Sequence, residues 1–158
     1  MVDINSQDER LNAAMELFYY AYRAFTAQPD TLLAARGWGR VHHRVLYFVG
    51  REPGLSVNTL IARLGVSKQA LHGPLRDLQE ADLIVATPAE QDKRVRCLSL
   101  SPAGATLENE ISSSQRVLLA TVFQDNGSDA AQGWQRIMTA LAAHDQSVSI
   151  CPNRRPPA

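Results

Sequence analysis

The chain has 158 residues, 45% of them hydrophobic and 20% charged, with sixteen basic against sixteen acidic side chains. That balance fits one globular domain with helical extensions rather than a disordered chain, and zero net charge excludes indiscriminate binding to polyanions. No apolar run approaches the roughly 18 residues of a membrane span, the polar start MVDINSQDER carries no secretory core, and Cys97 and Cys151 form no CxxC pair. The expectation is a reduced, cytoplasmic protein with no membrane partner.

Ser6-Gln7-Asp8-Glu9 fits a capping box, and Leu11, Met15, Phe18, Tyr22 and Phe25 follow at helical spacing until Gln28-Pro29-Asp30, where the helix is expected to stop. A second helix runs through Val41, Val45, Leu46 and Val49 to Pro53-Gly54. Ser56 then reads as an N-cap with Leu55 and Leu60 as its hydrophobic staple, and Gly65 suits the left-handed position that closes the helix. The device repeats at once. Ser67 caps a helix stapled by Val66 and Leu71, whose Leu71, Leu75 and Leu78 fix one face inward. Pro74 removes the amide that would bond the Ala70 carbonyl, so a kink beside Gly73 is expected rather than loss of the helix. Leu83–Thr87 and Val95–Leu100 form a hairpin. Ser101-Pro102 opens a long helix through Leu107, Ile111, Leu118 and Val122, Asp125-Asn126-Gly127-Ser128 breaks it, and Trp134, Ile137, Met138 and Leu141 mark a last one. The tail CPNRRPPA is too rich in proline to pack regularly and is expected to be disordered.

Helix, glycine turn and polar second helix make a shape that fits the DNA major groove. The face opposite Leu71, Leu75 and Leu78 presents Lys68, Gln69, His72 and Arg76, side-chain types that bond adenine, guanine or phosphate. Amides at the Ser56 and Ser67 helix starts suit phosphate. Lys93, Arg94 and Arg96 make the hairpin a basic wing suited to the minor groove, with Asp92 shaping the turn around Arg94. Between Arg36 and Leu98 ten basic side chains face six acidic ones, so the middle carries +4 and the two ends together −4.

The block LSVNTLIARLGVSKQALHGPLRDLQEADLI, the Asp92-x-Arg94 wing and LSLSPAG together resemble the multiple-antibiotic-resistance regulator (MarR) family of winged helix-turn-helix transcription factors, over nearly the whole chain. The resemblance implies a mainly α fold with a small antiparallel β-hairpin wing. Residues 36–101 would form the DNA-binding lobe, 6–35 and 102–145 the N- and C-terminal dimerisation helices, and 146–158 a tail. It also implies a homodimer on a palindromic double-stranded DNA operator, with repression relieved by a small-molecule effector, and Arg94 in the minor groove. The Gly73-Pro74 pair departs from an uninterrupted recognition helix. An alternative is a winged-helix protein-interaction module that no longer binds DNA.

No Ser/His/Asp set, paired carboxylates or phosphate loop stands out, so neither an enzyme nor a bound cofactor is expected. His42 and His43 diverge by about 100° on one helix, which disfavours a shared metal; one imidazole is expected at the surface and the other in a pocket. Cys97 reads as an inert strand residue. Tyr19, Tyr22, Trp38, His42 and Tyr47 are the candidates to line an effector pocket.

Overall fold

A computed structural model describes residues 4–145, and the proline-rich tail lies outside them. The elements run α1 (Ile4–Ala34), α2 (Arg40–Arg51), β1 (Leu55–Ser56), α3 (Val57–Leu64), α4 (Lys68–Glu80), β2 (Ile84–Pro88), β3 (Arg96–Leu100), α5 (Pro102–Asn126) and α6 (Ser128–Ala142). The architecture is mainly helical with a small antiparallel sheet, as the winged helix-turn-helix pattern predicts. Among the described residues no helix is long and apolar enough to cross a membrane.

Three serine caps fix where helices begin. Ser56 Oγ accepts from the Thr59 amide at 3.1 Å, Ser67 Oγ from the Ala70 amide at 3.1 Å, and Ser101 Oγ from the Gly104 amide at 3.0 Å. Each satisfies an amide that the first turn would otherwise leave without a partner. Gly65 closes α3 at φ 61°, a left-handed conformation that costs glycine nothing. Helix α4 closes the same way but with Asp82 at φ 56°. The Leu83 amide returns to the Leu78 carbonyl and the Asp82 amide to that of Gln79, a Schellman pattern.

Two sequence expectations about α1 need correction. The helix already includes Ile4, the first described residue, so Ser6 and Glu9 lie within it rather than forming a cap. It also continues through Pro29 to Ala34. Pro29 cannot donate to the Phe25 carbonyl, but the Gln115 side chain of α5 does, at 3.1 Å. A partner ninety residues away in sequence replaces the missing backbone bond, and the helix survives. Helix α4 likewise runs unbroken across Pro74.

The sheet has the order β1-β3-β2. The wing strands pair from Ile84 with Leu100 to Pro88 with Arg96. The third strand, Leu55 and Ser56 against Leu98 and Cys97, was not apparent in the sequence because two residues show no periodicity. Helix α2 lies at the centre of the core. Its Val45, Leu46 and Val49 are fully buried against Leu60, Leu71, Leu78, Leu98 and Ile111. Each such side chain contributes about 1.5–3 kcal/mol by leaving water.

The wing is bolted to α5 at its base. Ser101 donates its hydroxyl to the Asp82 carbonyl at 2.7 Å and its amide to the Leu83 carbonyl at 3.0 Å. Gly104, buried in the first turn of α5, lies so close to Leu83 that a Cβ there would collide with the Leu83 carbonyl oxygen. Only glycine fits that approach.

Candidate nucleic-acid interface and the cavity behind it

Burial of Leu71, Leu75 and Leu78 turns the other side of α4 outward, and Lys68, Gln69, His72 and Arg76 are all exposed there. Among the described residues Lys68, Gln69 and His72 make no side-chain hydrogen bond or ion pair, which leaves their donors and acceptors available. Arg76 is engaged on its own helix, 3.7 Å from Asp77 and 3.7 Å from Glu80. Both contacts are long and neither is buried, so its guanidinium can turn outward at small cost.

The wing tip shows why an aspartate precedes the arginine. The Asp92 carboxylate accepts from the Arg94 amide at 2.9 Å, and the Asp92 carbonyl accepts from the Val95 amide at 2.9 Å. This turn consumes the carboxylate locally and leaves Lys93, Arg94 and Arg96 exposed. The tip is thus a cationic projection, in which Lys93, Arg94 and Arg96 outnumber Glu90 and Asp92 and the Asp92 carboxylate is occupied by backbone.

Behind this surface, α1, α2 and α5 enclose a cavity of about 420 Å³. Tyr22 and Tyr47 line it, as the sequence indicates. Tyr19, Trp38 and His42 do not. Tyr19 lies on the exposed side of α1, 5.5 Å from Tyr20. Trp38 packs against the core and stacks on His42 with ring centroids 5.3 Å apart. His42 is buried and turned toward α4, its Nε2 3.0 Å from Asp77 Oδ2. The imidazole that reaches the cavity is that of His43, and neither histidine is simply a surface residue.

Residues missed in the sequence complete the cavity wall: Arg40, His43, Arg44 and Arg51 from α2, and Ser112, Gln115 and Arg116 from α5. A signal for them exists, since 40, 44, 47 and 51 recur at the spacing of one helical face. The wall is cationic and partly preorganised. Arg40 forks onto Asp30 with its shortest contact at 2.7 Å, holding that carboxyl below its ordinary range. Arg44 donates to the Tyr22 hydroxyl at 2.8 Å. Ser112 donates to Glu108 Oε1 at 2.6 Å, so His43 Nε2, 3.0 Å from the same hydroxyl, is the donor to it. Burial lowers the His43 pKa, partly countered by the Glu108 charge, and keeps the ring neutral at neutral pH.

Residues 37–95 match the sequence profile of the MarR family. Over 134 residues the chain is 42% identical to the HTH-type transcriptional regulator PetP of Rhodobacter capsulatus, covering 85% of this chain and 81% of that protein. Streptococcus pneumoniae FabT, solved in complex with DNA, matches with a TM-score of 0.71 at 15% identity, covering 86% of this chain and 95% of FabT. NadR, solved in complex with 4-hydroxyphenylacetate, matches with a TM-score of 0.67 at 20% identity, covering 79% and 89% respectively.

Proposed function

The chain belongs to the MarR family of DNA-binding transcriptional regulators, which are not enzymes, and from that premise we propose that it is a cytoplasmic homodimeric repressor released by a small organic anion. The observation that carries DNA reading is the face of α4: three buried leucines fix it, and Lys68, Gln69 and His72 stand outward without side-chain partners among the described residues. In this reading α4 enters the major groove, Arg76 turns to base or phosphate, and the Ser56 and Ser67 helix starts hold backbone phosphates. Arg94 enters the minor groove, flanked by Lys93 and Arg96 on backbone. FabT, solved on DNA, shares the fold and supports this placement.

Dimerisation rests on the outer helices. From Gln7 to Ala24 every residue of α1 is exposed, although the stretch carries Leu11, Met15, Leu17 and Phe18. A helical stretch this exposed is marginal in water, so a second copy is the economical cover, and two-fold symmetry then matches a palindromic operator. The effector reading rests on the cavity, whose arginines suit a carboxylate and whose Tyr22, Phe25 and Tyr47 suit an aromatic ring. NadR's complex with an aromatic acid supports it.

The domain boundaries follow: 36–101 as the reading lobe, 6–35 and 102–145 as dimerising helices. Mobility shift of the protein's own upstream DNA, at two salt concentrations and against scrambled duplex, tests the reading. Retention should be selective and weaken steeply with salt. No retention at low salt would leave the interaction-module alternative standing, although α4 runs unbroken across Gly73-Pro74.

A further inference from the structure

We propose that His42 is a positioning residue for DNA recognition, one that sets the angular placement of α4 by bridging the start of α2 to Asp77. The inference rests on the reading of α4 as the major-groove helix.

The ring of His42 has both nitrogens committed. Nδ1 accepts from the Gly39 amide at 3.1 Å, which assigns the proton to Nε2, and Nε2 then donates to Asp77 Oδ2 at 3.0 Å. The ring cannot swing away, because Trp38 stacks on it with planes 4° apart and is itself packed against the core. On the α4 side, Asp77 is half-buried at the flank of the outward face, and its other oxygen lies 3.7 Å from Arg76. A line of directed contacts therefore runs from the α2 backbone through His42 and Asp77 to a side chain of the reading face.

Among the described residues, directionality is what α4 otherwise lacks. Contact of Leu71, Leu75 and Leu78 with the core holds the helix down but is non-directional, so it tolerates small rolls. Pro74 removes the bond to the Ala70 carbonyl midway between Gln69 and Asp77, and backbone stiffness is weakest there. A hydrogen bond with strict angular demands, placed beyond that weak point, fixes the roll. Base contacts need such aim; phosphate contacts do not.

The test uses the full-length protein and its upstream operator DNA, with competition by scrambled duplex. His42→Phe keeps a ring for Trp38 and removes both nitrogens; His42→Gln returns a donor toward Asp77. Phe should lower the operator-to-scrambled ratio by about tenfold, comparable to one lost base contact, with non-specific affinity and salt slope unchanged. Gln should recover most of the ratio. Asp77→Asn, which keeps an acceptor, should retain the ratio, and Asp77→Ala should lose it, which covers the case in which His42→Phe does not fold. A merely structural role would reduce thermal stability and both affinities together, and that result overturns the proposal. Gln69→Ala serves as reference. If it lowers the ratio while His42→Phe and Asp77→Ala do not, this inference alone fails; if all three leave the ratio unchanged, the assignment of α4 as reader fails with it.

Discussion

In the winged lobe Leu46, Leu60, Leu71, Leu78 and Leu98 are each at most 1% exposed, whereas in the outer helices Met15, Leu17, Val117 and Ile137 are each at least 65% exposed. Both regions spend apolar residues at helical spacing, yet one closes on itself and the other does not. Among the described residues none of α6 is buried; its tie to α5 includes the Phe123–Trp134 ring contact at 5.2 Å. The difference separates two uses of the same pattern. An amphipathic stripe that finds a core within its own chain makes a domain, and one that does not is free to serve as an interface.

The strongest attack on this contrast is to place charge on the open side. Leu118→Glu with Ile137→Glu should convert a dimer into a monomer at micromolar concentration, read by sedimentation, with the helical circular-dichroism signal of the lobe retained. Operator affinity should fall by roughly 100-fold or more, because two linked half-site contacts become one. A dimeric mass for this variant would mean that another surface joins the copies. In the closed region Leu60→Ala should cost about 2–5 kcal/mol in denaturant unfolding. Met15→Ala, by contrast, should leave the unfolding of dissociated protein within about 0.5 kcal/mol.

At the wing, Arg94→Ala should weaken operator binding by about 1–3 kcal/mol without shifting the melting temperature, since the side chain is exposed and the turn is held by backbone and Asp92. An unchanged affinity removes the wing from recognition. The smallest effect lies at the seam between the regions. Burial lowers the His43 pKa from its ordinary 6.5, so as pH falls the unfolded chain takes up that proton first. Stability contributed by the neutral ring is whole above 6.5 and is lost as pH drops from there toward the lowered folded value. His43→Gln should flatten this part of a melting-temperature profile recorded between pH 7.5 and 5. A profile as steep as that of the wild type would assign the acid loss to another group.

What the sequence made legible was local. Ser56, Ser67 and Ser101 announce helix starts within three residues, and the hairpin follows from alternation and turn chemistry on either side of Asp92. Pro29 was misread because its remedy, Gln115, comes from a distant helix. For the same reason only Tyr22 and Tyr47 of the five candidates line the cavity. That His42 and His43 diverge is a property of one helix, but which of them faces the cavity depends on where α1, α4 and α5 pack around α2. Trp38 and His42 look like an aromatic ligand cage in one dimension and form a structural stack in three.

Because Gly104 lets α5 touch the Leu83 carbonyl, the base of the wing and the start of the long helix form one rigid lever. Its arms are unequal, a short hairpin at one end and 25 residues of helix at the other. In the proposed dimer, a small change in how the two long helices cross would be delivered undamped to the two wing tips. The spacing between half-sites is then a gauge of that crossing angle, and any side chain at position 104 would slip the gauge by loosening the fulcrum.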